Sequence, residues 1–124
     1  FISSISSSDI DVFSYKFKLA KKGSNNVVVI YGKVELHLPY SQSLKEKRQV
    51  VKSISDRVRK RFNISIAEVA GHNLWQASTL GFSAVAKSYA ETERFVQALK
   101  ETLDLHDEEA HVIDFEYDYV GPQP

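Results

Sequence analysis

Val27-Val28-Val29-Ile30-Tyr31-Gly32-Lys33-Val34-Glu35-Leu36-His37-Leu38-Pro39 changes character at every step. Val28, Ile30, Gly32, Val34, Leu36 and Leu38 share one parity, and Tyr31, Lys33, Glu35 and His37 share the other. That period of two marks a strand with one buried face. Pro39 closes the run, because proline has no N–H to give to a ladder. Just beyond it the period changes. Ser43 and Glu46 have the spacing of a capping box, and Leu44, Val51, Ile54, Val58 and Phe62 recur at helical intervals, so a helix is predicted from Ser43 to about Arg61.

The remaining chain repeats this grammar. Asn63 to Ala70 predicts a second strand, Gly71 to Gln76 a loop, and Ser78 to Lys87 a third strand in which Leu80, Phe82, Ala84 and Ala86 alternate. Ser88 and Glu91 cap a second helix that buries Phe95, Val96, Leu99 and Leu103. The acidic turn Asp107-Glu108-Glu109 leads to a fourth strand, where Ile113, Phe115, Tyr117 and Tyr119 alternate with Asp114, Glu116 and Asp118. The order predicts an α+β, ferredoxin-like βαββαβ two-layer sandwich: a four-stranded antiparallel sheet with two helices on one face.

The domain is expected over residues 27–120, with 121–124 as a tail. Residues 1–26 read as an N-terminal extension or leader. Within them Phe13, Tyr15, Phe17 and Leu19 alternate with Ser14, Lys16 and Lys18, the pattern of an extra strand near residues 10–19. The alternative is a leader without one. The Ser-rich start loosely suits a transit peptide, but Asp9, Asp11 and the lack of arginine before Arg48 argue against it.

The chain has 124 residues, 43% of them hydrophobic and 26% charged, which suffices for one globular domain with its own core. It contains no cysteine, so disulfides, thiolate metal sites and thiol catalysis are excluded. No apolar run approaches the ~20 residues that cross a bilayer, so no membrane partner is expected. The formal net charge of zero hides a division. Leu44 to Phe62 carries eight basic residues against Glu46 and Asp56, a local balance of +6, whereas Tyr89 to Val120 carries ten acids against Arg94 and Lys100, a balance of −8.

Ser41-Gln42-Ser43-Leu44-Lys45-Glu46-Lys47-Arg48, Arg57-Val58-Arg59-Lys60-Arg61-Phe62-Asn63-Ile64-Ser65-Ile66-Ala67-Glu68-Val69, Leu74-Trp75-Gln76 and Thr79-Leu80-Gly81 together resemble the YlxP-like family of small bacterial proteins. The likeness covers about residues 28–120. It implies a ferredoxin-like domain of unknown function, a cytoplasmic location, and gene neighbours that encode translation-initiation and ribosome-maturation factors. Two positions depart from the family pattern: Gly71-His72-Asn73 stands where an acidic residue is frequent, and Ala77 where arginine is common.

Helix one carries the clearest candidate site. At ~100° per residue, Lys45, Lys52 and Arg59 fall in one row, with Arg48 beside it and Lys60 close by. Such a stripe can track phosphates, since neutralising them releases counterions. Together with the gene neighbours that the resemblance implies, the stripe makes ribosomal RNA or a ribosome-maturation factor the expected partner. The bland reading is a solvated helix face in which Asp56 bridges Lys52 and Lys60 at i,i+4 spacing. Lys47 falls on the apolar stripe, and Glu68 shares parity with Ile64 and Ile66, so Lys47, or Arg48, is expected to meet Glu68, since a lone buried charge is costly; a bulge near Glu68 or a snorkelling Lys47 is the alternative. A structural tie between helix and sheet is the leading reading of that pair, ahead of a catalytic one.

Trp75 either anchors a partner or covers the end of its own core. The bare sheet face should show Glu35, Asp114, Glu116 and Asp118 beside small residues, which argues against RNA on the sheet and leaves room for another layer, either the Phe13-Tyr15-Phe17-Leu19 strand or a second subunit; the second makes a homo-oligomer the expected alternative. His106 and His111 fix no metal geometry. No catalytic constellation and no cofactor motif is visible, so a non-enzymatic binding protein is expected. A small-ligand sensor built around Lys47, Glu68 and Trp75 ranks lower.

Overall fold

The computed structural model describes residues 26–122. The candidate strand near residues 10–19 and the last two residues of the tail lie outside the described residues. Strand β1 (Val28–His37) is followed by helix α1 (Leu44–Arg61), β2 (Ser65–Ala70), β3 (Ala77–Ala86), α2 (Tyr89–Leu105) and β4 (His111–Val120). The sheet is antiparallel in the order β2-β3-β1-β4, the ferredoxin-like arrangement expected from the sequence. Strand two begins at Ser65 instead of Asn63, because the chain leaves α1 through an extended Phe62.

The core lies between the helices and the β1 parity that holds Ile30, Val34 and Leu36. Ile54 and Val58 of α1 and Val96, Leu99 and Leu103 of α2 close over it. Both helix starts follow from their caps. The Ser43 hydroxyl accepts from Glu46 N at 3.1 Å, while the Glu46 carboxylate accepts from Gln42 N at 2.6 Å; Ser88 accepts from Glu91 N at 3.2 Å. Where the chains of α1 and α2 meet, Phe62 and Phe95 pack with ring centroids 5.0 Å apart.

Strand four departs from simple alternation. The ladder with β1 shifts register between Glu35 and Leu36, so Val112 takes the place opposite Leu36, and Ile113 is 65% exposed instead of buried. A bulge of this kind inserts one unpaired residue and re-aims its neighbours. Gly32 explains how closely β1 and β4 approach. A Cβ there would collide with the Glu116 carbonyl oxygen and lie 2.9 Å from the Phe82 ring. Gly32→Ala must push backbone aside, so it is expected to cost about 1–3 kcal/mol, the scale of an overpacked core. Urea unfolding followed by circular dichroism measures this; an unchanged midpoint would show that the two strands can part freely.

A candidate phosphate-binding groove

The basic residues of α1 divide into three groups. Lys47 is fully buried. Its Nζ lies 3.0 Å from Glu68 Oε2 and donates to the carbonyls of Gly71 (2.7 Å), His72 (3.3 Å) and Ala77 (3.3 Å). The structure thus brings together the two residues that parity assigned to the core, and adds what parity could not: the lysine also ties down both ends of the β2–β3 loop. Glu68 Oε2 further accepts from the Ser78 hydroxyl at 2.6 Å. Burial pushes the Glu68 carboxyl up, but the hydrogen bonds from Ser78 and Lys47 and the lysine's charge outweigh it and hold the group below the usual glutamate range.

A second group is engaged at the surface. Lys52 meets Asp56 at 2.8 Å and Arg59 meets it at 3.3 Å. Asp56 therefore bridges Lys52 to Arg59 at i,i+3, where Lys60 was the expected partner. The reason is that Arg59 is already turned toward β2, donating from Nη2 to the Ile66 carbonyl at 2.8 Å. A hydrogen bond from Lys52 holds Asp56 below the usual carboxylate range. Arg61 reaches across to α2, donating to the Ala98 carbonyl and pairing with Glu101 at 3.0 Å.

The third group is Lys45, Arg48, Arg57 and Lys60. All four are exposed, and none has a carboxylate within ion-pair distance among the described residues. Arg48, Lys52 and Arg59 line a groove of about 270 Å³ between α1 and β2, with Ile66 and Ala67 opposite and Lys47 and Glu68 at its base. A larger depression of about 430 Å³ opens at β1 and β4 beside Tyr31 and Tyr117. Its cation, Lys33, already lies between Glu35 (3.6 Å) and Glu116 (3.4 Å).

Trp75 does not cover its own core: it is 55% exposed. Gly71, at φ 78°, starts the left-handed turn into this loop. On the open sheet face the expected acids are joined by Tyr31, which the alternation placed there, and by two apolar residues it did not single out, Val69 and Val85. His106 is buried at the end of α2, with Glu109 at 3.6 Å, apart from exposed His111. No group of three metal-ligating side chains occurs among the described residues. Nor is any described helix long and apolar enough to cross a membrane.

Removing the lysine takes one donor from the part-buried Glu68 carboxylate and from each of the carbonyls of Gly71, His72 and Ala77. Lys47→Ala is expected to cost about 3 kcal/mol in urea unfolding; a loss below about 1 kcal/mol, the scale of an exposed pair, would reduce the tie to decoration. Because the folded pKa of Glu68 is depressed, its contribution is complete above the ordinary glutamate value of 4.5 and is lost as pH falls through the lower folded value. Glu68→Gln should flatten the acid limb of a stability-against-pH curve below that range.

Comparison with known proteins places these features in a family. Residues 29–117 match a family described as "Protein of unknown function (DUF503)". Over 62 residues the chain is 42% identical to "Uncharacterized protein YlxP" of Bacillus subtilis (strain 168), a stretch covering 50% of this chain and 67% of that protein. Among solved structures, "De novo designed protein Foldit4" is 13% identical, with 78% of this chain and 99% of that one covered at a TM-score of 0.49. "De novo designed protein Ferredog-Diesel" is also 13% identical, covering 84% and 93% of the two chains at a TM-score of 0.44.

Proposed function

We propose that this chain, which belongs to the DUF503 family of proteins of unknown function, is a non-enzymatic module that binds RNA of the translation apparatus along the outer face of α1. The observation that carries the reading is the set of exposed cations on one helix, Lys45, Arg48, Arg57 and Lys60, which have no carboxylate within ion-pair distance among the described residues. Lys52 and Arg59 share a single acid, so together they still present positive charge to the groove. Phosphates fit such a surface, because each one neutralised releases a counterion and the gain grows as salt is lowered. The translation setting rests on the family resemblance; the chemistry of the partner rests on the helix.

The absence of catalysis is part of the proposal. Lys47, Glu68 and Ser78 have the residue types of acid–base chemistry, yet Lys47 is fully enclosed and its donors are aimed at loop carbonyls and one carboxylate. We read such a cluster as bracing the fold, because the lysine's donors are committed to fixed partners.

Charge reversal of Lys45, Arg48 and Lys60 to glutamate avoids the residues that brace the fold. It is expected to weaken RNA association by about tenfold or more and to flatten its dependence on salt. Fluorescence anisotropy with ribosomal RNA fragments across a salt series tests this. Equal binding by the triple variant and the parent would remove the helix from the interface.

The open sheet face supports a second reading, a homo-oligomer. Asp114, Glu116 and Asp118 stand beside exposed Tyr31, Val69 and Val85, a surface that another copy's basic α1 could complement. Light scattering would then give a mass that falls from assembly to single chain as salt rises; a single-chain mass at every ionic strength would dispose of it.

A further inference from the structure

Two of the most exposed aromatic side chains lie at one end of the cationic helix, on loops locked to each other. Tyr40 is 76% exposed and Trp75 is 55% exposed. Gln76, next to the tryptophan, donates from Nε2 to the carbonyls of Pro39 and Ser41, both at 3.2 Å, on either side of Tyr40. Its own carbonyl accepts from Leu38 N at 2.9 Å. From beneath, Lys47 holds Gly71, His72 and Ala77 on both flanks of the tryptophan loop. The loops that carry the two rings are therefore braced against each other, although neither ring is part of the core.

These loops adjoin the cations. Tyr40 precedes the Ser43 cap, α1 opens with Leu44 and Lys45, and Arg48 follows one turn later at the groove. The β2–β3 loop begins where β2, the other wall of that groove, ends. Lys45 to Lys60 spans about 22 Å of helix at 1.5 Å per residue. A strand of phosphates laid along this length reaches the aromatic end without crossing the acidic sheet face.

We infer that the RNA this module takes is single-stranded, with unpaired bases stacking on Trp75 and Tyr40 while the backbone follows Arg48, Lys52 and Lys45. The inference rests on the RNA-binding reading above and narrows it. Aromatic platforms beside a positive groove suit unpaired nucleotides, because each base then offers a free face. In a duplex those faces are stacked on one another, and only backbone and groove remain to be recognised. Loops fixed before binding also have less backbone freedom to lose when a base arrives.

The chain contains one tryptophan, so Trp75 is its own reporter. The full chain is titrated with an unstructured 12-nucleotide RNA and, separately, with a 12-base-pair RNA duplex, at fixed low salt. The single strand is expected to quench tryptophan emission and to bind more tightly than the duplex. Trp75→Ala should weaken single-strand binding about tenfold, the scale of one lost stacking contact, while leaving the salt slope and duplex binding unchanged. Tyr40→Ala should act in the same direction, and both rings are exposed enough that truncation leaves the core intact. Salt-sensitive binding with silent tryptophan emission, or equal affinity for the duplex, overturns this inference while leaving the cationic-helix reading in place. No binding of either RNA at low salt overturns both.

Discussion

A lysine side chain with no exposure to water is the constraint on which much of the rest depends. Burial of a cation is tolerated only when its partners replace the lost solvent, and Lys47 has four of them: one carboxylate and three backbone carbonyls. Those partners lie on β2, on the loop beyond it and at the first residue of β3. One side chain thus fixes how α1 docks on the sheet and where the loop points. The same contact sets the orientation of the outer helix face, because turning α1 would pull the amine away from its carbonyls. The position of the exposed cations is a consequence of the buried one.

Much of this was legible from residue spacing. Alternation in β1 and β3, two serine-capped helices and Pro39 sufficed for the architecture, since each signal is local and all agree with one topology. Lys47 and Glu68 were also readable, because each violates the pattern of its own element: a charge on an apolar helical stripe, a carboxylate at an inward strand parity. Other features escaped for identifiable reasons. The bulge at Ile113 depends on how β4 meets β1, which no single strand reveals. Asp56 chose Arg59 over Lys60 because Arg59 was drawn to the Ile66 carbonyl, a partner on a different element. Helical angles foresee neighbours on a cylinder, but not the carbonyls that a long side chain finds beyond it.

The charge division survives in altered form. Its count of +6 on the first helix includes Lys47, which is enclosed, and Arg61, which is spent on α2. What faces outward is a smaller set, and the proposed role follows from those residues and not from the total. The tryptophan loop shows the reverse case. From sequence, Trp75 leaned toward covering its own core; the exposure of the ring and the hydrogen bonds of Gln76 are what the structure adds.

The guanidinium on the Ile66 carbonyl also bears on how copies of this molecule can meet. An outer strand offers unpaired main-chain groups to any passing chain, and proteins guard such margins with charge or cover. At β2 the carbonyls of Ile66 and Glu68 are already occupied, by Arg59 and by the His72 ring. A newcomer seeking to extend the sheet there must first evict both. Fibre-like growth is thereby discouraged along that margin, and contacts with other molecules are steered toward side chains, where they can be reversed.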